Sequence, residues 1–124
     1  MNLPRRKTLG DSGEAHARAW LEARGYRFVA AQWRCLAGEL DVVMVDGAEL
    51  VFVEVKTRRG ESAGRAEEAI TPTKGRRLLA AGSWFVADHP EWHDVVWRID
   101  LVAITLDARG GVARVAHLIN AVVE

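Results

Sequence analysis

Two runs near the middle of the chain carry the clearest patterning. Leu40-Asp41-Val42-Val43-Met44-Val45 and Leu50-Val51-Phe52-Val53-Glu54-Val55 are rich in β-branched residues, and Asp46-Gly47 between them is a turn signal. Together they predict a hairpin. If Gly47-Ala48 is a two-residue loop, Asp46 pairs with Glu49, Val45 with Leu50, Val43 with Phe52, Asp41 with Glu54 and Glu39 with Lys56. A four-residue loop gives the same register. A loop at Asp46-Gly47 slides the pairing by two and sets Glu54 opposite Glu39, with the faces unchanged. Side chains alternate with period two. One face is therefore Leu40, Val42, Met44, Val51, Val53 and Val55, all apolar. The other is apolar near the turn and becomes Asp41, Glu54, Glu39 and Lys56 at the open end.

The rest of the pattern predicts the order αβββαββ, an α/β layer architecture. A first helix is expected from Leu9 to Arg24, with Thr8 and Asp11 resembling a capping box and Gly25 as the stop. A strand follows over Tyr26 to Arg34, then the hairpin. Gly60 to Ala69 reads as a polar connection. Thr71-Pro72 opens a second helix, with Thr as N-cap and Pro at the first helical position, running to Ala87. Asp88-His89-Pro90 ends it. Val95 to Leu106 and Val112 to Leu118 read as two closing strands.

Each helix carries a charge at the head of its core-facing stripe. On the first, Glu14 precedes Ala17, Trp20 and Leu21. On the second, Lys74 precedes Leu78, Ala81 and Phe85. Glu14 suits the positive end of a helix; Lys74 does not, and its placement calls for a phosphate or carboxylate partner.

Composition narrows the class. A chain of 124 residues, 49% of them hydrophobic, suffices for one compact domain. Residues 1–8 read as a flexible basic terminus ahead of a single domain over 9–124. No apolar run reaches the roughly 18 residues of a membrane helix, and Arg5-Arg6-Lys7 has no apolar stretch behind it, so neither a membrane span nor a secretory signal is expected. The lone Cys35 excludes a disulfide framework and fits a reducing cytoplasm. The 17 basic and 17 acidic residues cancel, so the distribution of charge matters more than its sum. Basic residues gather at Arg5 to Lys7, at Lys56, Arg58 and Arg59, and at Lys74, Arg76 and Arg77. Each cluster alone reads as a solvated surface. The second stands out because it continues from the strand that bears Glu54.

The hairpin's open end carries the candidate chemistry. Opposed side chains sit about 5 Å apart, and like charges there are destabilising. Asp41 and Glu54 therefore need compensation, in part from Lys56 and more fully from a divalent cation.

Gly13-Glu14, Gly38-Glu39-Leu40-Asp41 and Val51-Phe52-Val53-Glu54-Val55-Lys56-Thr57-Arg58 closely resemble the YraN-like family of small bacterial proteins, and the resemblance continues through Lys74 and Arg98-Ile99-Asp100. It implies a restriction-endonuclease-like fold, a central mixed β-sheet flanked by helices, similar to archaeal Holliday-junction resolvases. It also implies a PD-(D/E)XK nuclease centre of Glu14, Asp41, Glu54 and Lys56, although Leu40 stands where that motif often has Pro. Mg²⁺ or Mn²⁺ would be held by Asp41, Glu54 and the Val55 backbone carbonyl, with Glu14 direct, through water or at a second metal position. Lys56 would orient the attacking water or stabilise developing charge. Arg58, Arg59, Lys74, Arg76 and Arg77 would grip a DNA backbone without reading bases. Branched DNA is the implied substrate and RNA stays an open alternative, as does a nuclease-fold module that binds without cutting. Cutting junctions or duplexes often needs two active sites, so a homodimer is expected, with no interface legible.

Other residues read as structural. His89 and His93 are expected at the surface, because Pro90 breaks the helix that would align them. His16 and His117 are isolated. Cys35 has no neighbouring base and reads as a buried or half-buried thiol. Arg98 and Asp100 share one strand face, where a salt bridge is the default and a phosphate contact by Arg98 the alternative. Of the five Trp, most are expected in the core, with Trp84, Trp92 and Trp97 as the ones that could stack on bases. No motif for sequence-specific readout is present.

Overall fold

The computed structural model describes residues 9–60 and 69–122. The elements are α1 (Leu9–Glu22), β1 (Arg27–Cys35), β2 (Gly38–Asp46), β3 (Glu49–Arg59), α2 (Pro72–Asp88), β4 (Trp97–Leu106) and β5 (Val112–Leu118), with a 3-10 turn at Pro90–Trp92 before β4. The basic segment 1–8, Thr8 of the expected capping box and most of the polar connection after Gly60 lie outside the described residues.

The five strands form one mixed sheet in the order β1-β2-β3-β4-β5. The β1–β2, β2–β3 and β4–β5 pairs are antiparallel, and β3–β4 is parallel. A parallel pair needs a crossover, and α2 supplies it. Thr71 caps α2 by accepting from the Lys74 backbone N–H at 3.1 Å, and Pro72 takes the first position. The first helix stops at Glu22, short of Arg24; Gly25, at φ 91°, turns the chain into β1.

Both faces of the hairpin are buried, because a helix covers each. Ala17 and Leu21 of α1 pack on Val42, Met44, Val51, Val53 and Val102. Leu78, Ala81 and Phe85 of α2 pack on Val43, Val45, Leu50, Phe52 and Ile99. The hairpin register is the expected one from Asp46↔Glu49 to Val42↔Val53. Leu40, expected beside Val42, instead joins the α2-side core. It lies beyond the last pair with β3 and opposite Trp33, which packs on the same core.

Most of the tryptophans join the core as expected, though half-buried at its edges, with Trp20 on the α1-side core and Trp84 52% exposed. Trp33, Trp92 and Trp97 flank the α2-side core. His89 is half-buried, stacked on Phe85 at 3.9 Å, where its Nδ1 lies 2.7 Å from the Phe85 carbonyl oxygen at the end of α2. His93 is exposed.

Candidate active site at the parting of β2 and β3

The ladder between β2 and β3 ends at Val42↔Val53, while β3 continues beside β4 to Arg59. The next N–H of β3 that faces β2 is that of Val55. Asp41 takes it: Val55 N–H donates to Asp41 Oδ2 at 2.9 Å. In an extended strand a residue's N–H and C=O point the same way, so the Val55 carbonyl also opens toward Asp41. Asp41 thus replaces a ladder bond with a side-chain bond and is fixed in orientation by it.

Glu54 precedes Val55 and points to the α2 side. Its side chain is only 10% exposed, and its Oε2 lies 3.2 Å from Lys74 Nζ on α2. Beyond that ion pair, the occluded Oε2 has no hydrogen-bond partner among the described residues. Burial, then the hydrogen bond and negative charge of Asp41, push the Glu54 carboxyl up to about 8 against the opposing pull of Lys74. Near neutrality the Glu54 carboxyl therefore favours its protonated form, with the Lys74 ammonium pulling the other way. Glu54 and Asp41 meet as the hairpin pattern anticipates. Lys74 has the carboxylate partner that its unfavourable helix position calls for, which makes it part of this centre and not only of a basic surface.

A cavity of about 310 Å³ opens beside Asp41 and Lys74, lined by Gly38, Glu39, Asp41, Lys74, Arg77 and Leu78, with Glu54 behind them. Lys56, two residues beyond Glu54 on the same strand face, is exposed. Glu39 does not pair with Lys56; the strands have separated by that point, and Glu39 accepts from Arg34 of β1 at 3.1 Å. Arg77 faces the cavity, while Arg76 lines a separate groove with Pro72, Leu79 and Val122. Arg58 is half-buried and Arg59 exposed at the end of β3.

Glu14 approaches from α1 by way of Gln32, which lies in β1 between the partners of Val42 and Leu40 and so beside Asp41. It accepts from Gln32 Nε2 at 3.2 Å and lines a groove between α1 and β1 with Arg18, Phe28 and Val42, on the α1 side of the sheet. Among the described residues no three His, Cys, Asp or Glu side chains converge tightly enough to hold a metal ion. The acidic centre is thus a pair, Asp41 and Glu54, plus a backbone carbonyl.

Arg98 and Asp100 form their salt bridge at the hairpin-turn end of β4. Arg98 donates to Asp100 at 3.0 Å, to Asp46 at 3.0 Å, to the Tyr26 hydroxyl at 2.9 Å and to Glu49. Asp100, with no exposure, also lies 2.8 Å from His117 Nε2 and accepts from the Asn120 backbone N–H at 3.0 Å. Burial alone would raise Asp100, but His117, Arg98 and Asn120 hold it below the usual carboxylate range. Sequence reading missed the reach of this network, since only the parallel β3–β4 pairing brings Glu49 and Asp46 to Arg98.

Cys35 is a free, half-buried thiol. No described helix is long and apolar enough to cross a membrane.

Comparison with known proteins adds the family. The chain is 46% identical over 120 residues to a UPF0102 protein of Roseiflexus castenholzii, covering 97% of each chain. It is 42% identical over 125 residues to one from Chloroflexus aurantiacus, covering all of this chain and 99% of the other. A third, from Beutenbergia cavernae, is 47% identical over 110 residues, covering 89% and 92%. The sequence model of the uncharacterised protein family UPF0102 matches residues 13–104, and the chain belongs to that family.

Proposed function

We propose that the protein is a metal-dependent nuclease that hydrolyses phosphodiester bonds in DNA, built on a restriction-endonuclease-like core of PD-(D/E)XK type. One observation carries the reading: Glu54 is buried beside a second carboxyl, at the point where two strands part, with an occluded oxygen that has no hydrogen-bond partner among the described residues beyond its ion pair with Lys74. Buried polar atoms are rarely left so. A hard cation fits this donor set, because Mg²⁺ accepts one or two carboxylates and completes its shell with water and substrate phosphate. Asp41, Glu54 and the Val55 carbonyl would hold Mg²⁺ or Mn²⁺, with Glu14 direct, through water or at a second metal position. Bound there, the cation would polarise the scissile phosphate and acidify a water.

The chain's own groups supply the rest. The Val55 N–H keeps Asp41 aimed at the site. Lys56, exposed on the same face, is placed to orient the attacking water or to offset charge developing on the phosphate. Arg77, Arg58 and Arg59 offer contacts to the DNA backbone, with Arg76 on the adjoining surface. Branched or structured DNA, a homodimer that brings two such centres together and a reducing cytoplasmic setting belong to the same proposal.

A nuclease-fold module that holds DNA without cutting it is the second reading. The Lys74 ammonium 3.2 Å from Glu54 favours it, since that contact balances charge within the chain.

The test is cleavage of branched, duplex and single-stranded DNA with Mg²⁺ by the wild type, Asp41→Asn and Glu54→Gln. The nuclease reading expects cutting by the wild type and a loss of at least about 100-fold in each variant. Salt-sensitive DNA binding with no metal-dependent product from the wild type would establish the second reading instead.

A further inference from the structure

Lys74 occupies a position that its own helix disfavours. It lies in the first turn of α2, three residues after the Thr71 cap, where the positive end of the helix repels a cation. No acidic residue stands in that turn, and Arg77 shares the cavity wall. What holds the ammonium is Glu54, at 3.2 Å. The two partners differ in freedom. The Glu54 side chain is 10% exposed and set in a strand; the Lys74 side chain is 50% exposed on a flexible stem. Of the two, Lys74 is the one that can leave.

This inference rests on the nuclease reading. We propose that Lys74 is a built-in stand-in for the metal: its ammonium occupies Glu54 until a DNA phosphate draws it into the cavity, so that DNA and metal bind cooperatively.

The geometry gives the phosphate an entry point. Lys74 and Arg77 lie one helical turn apart along the cavity, with Asp41 and Glu39 among its other lining residues. A phosphate between the two cations offers Lys74 charge-assisted hydrogen bonds in exchange for its single contact with Glu54. The phosphate also relieves the repulsion of two cations by the positive end of α2. Once Lys74 has swung out, the unpartnered oxygen of Glu54 is open to a cation. Before that, a cation must compete with the ammonium. The coupling is reciprocal: whatever factor DNA adds to metal affinity, metal adds to DNA affinity. Lys74 would then guard against idle loading of the centre and contact substrate directly.

The experiment is calorimetric titration of Mg²⁺ into the wild type, Lys74→Met and Lys74→Gln, each with and without a duplex whose linkages are all phosphorothioate and resist cleavage. Melting curves confirm that the variants fold. Without DNA, both variants are expected to bind Mg²⁺ about tenfold more tightly than the wild type, and DNA is expected to tighten the wild type by a similar factor while leaving the variants unchanged. Loss of a purely structural contact would not raise metal affinity. Variants that bind Mg²⁺ no more tightly than a wild type that does bind it and cut DNA would overturn the gate alone. Folded wild type and variants that bind no Mg²⁺ under any condition would remove the metal reading and the gate with it.

Discussion

A glutamate set among valines must either shed its charge or find a cation, and Glu54 does part of each. It carries a proton up to about pH 8, by burial and by the nearness of Asp41, and it faces Lys74. The sign of the consequence follows. Between the ordinary value of 4.5 and the raised value of about 8, the folded protein binds a proton that the unfolded chain does not. Metal-free stability contributed by Glu54 is therefore full below the lower value and lost as pH rises through the upper one, with a slope of at most about 1.4 kcal/mol per pH unit. Glu54→Gln, an uncharged isostere, is expected to flatten this decline. Melting temperatures that fall equally with pH in the variant and the wild type would contradict the assignment. This residue pair was legible because period-two alternation puts Asp41 and Glu54 on one face in either register; the turn left two registers open, and the fold takes the one with Asp46 opposite Glu49. That Lys74 needed an anionic partner was legible from the helix dipole. Which carboxylate it would find was not, because that depends on where α2 docks.

At the scale of elements, the closeness of α1 to β3 depends on one glycine. A Cβ at Gly13 would collide with the Thr57 hydroxyl and stand 2.9 Å from Thr57 Cβ. The Thr57 hydroxyl is itself buried without a hydrogen-bond partner among the described residues. Gly13→Ala is expected to cost about 1–3 kcal/mol through overpacking, despite the better helix propensity of alanine. Thr57→Ala, which removes the unsatisfied hydroxyl, is expected to be neutral or stabilising and to reduce the cost of the first change. Denaturant unfolding of the two single variants and the double variant checks this; an unchanged Gly13→Ala cost in the alanine background would refute it. Within a helix pattern Gly13 reads only as a weak helix former, since its reason lies on another element. Glu14 shows the same limit. Helical spacing placed it on the core-facing stripe, but the sheet face against which α1 packs was decided by Val42, Met44, Val51 and Val53.

Across the whole molecule the two ends of the central strands are built differently. At the hairpin-turn end, charges satisfy one another around Arg98 and Asp100. At the end where β2 and β3 separate, an acidic oxygen has no hydrogen-bond partner among the described residues beyond its ion pair with Lys74. Removing charge from the first end should therefore damage stability and spare the site. Asp100→Asn is expected to cost about 1–3 kcal/mol at neutral pH, by replacing the oxygen that faces Arg98 Nη2 and His117 with an amide nitrogen, while Mg²⁺ affinity stays as in the wild type. Because Asp100 is held below its ordinary value of 3.8, its contribution is present above that value and lost as pH falls below it, opposite in sign to Glu54. The opposed ends were not legible from sequence, as they depend on the parallel pairing of β3 with β4 across the α2 crossover. The central claim is that the unsatisfied end is a metal-dependent nuclease centre. Its most direct test is calorimetric titration of Mg²⁺ and Mn²⁺ into the wild type and Asp41→Asn, followed by incubation of the same samples with branched, duplex and single-stranded DNA. The account predicts metal binding and cleavage by the wild type, both lost together in the variant. Wild type that binds neither metal and cuts none of the three substrates would contradict it.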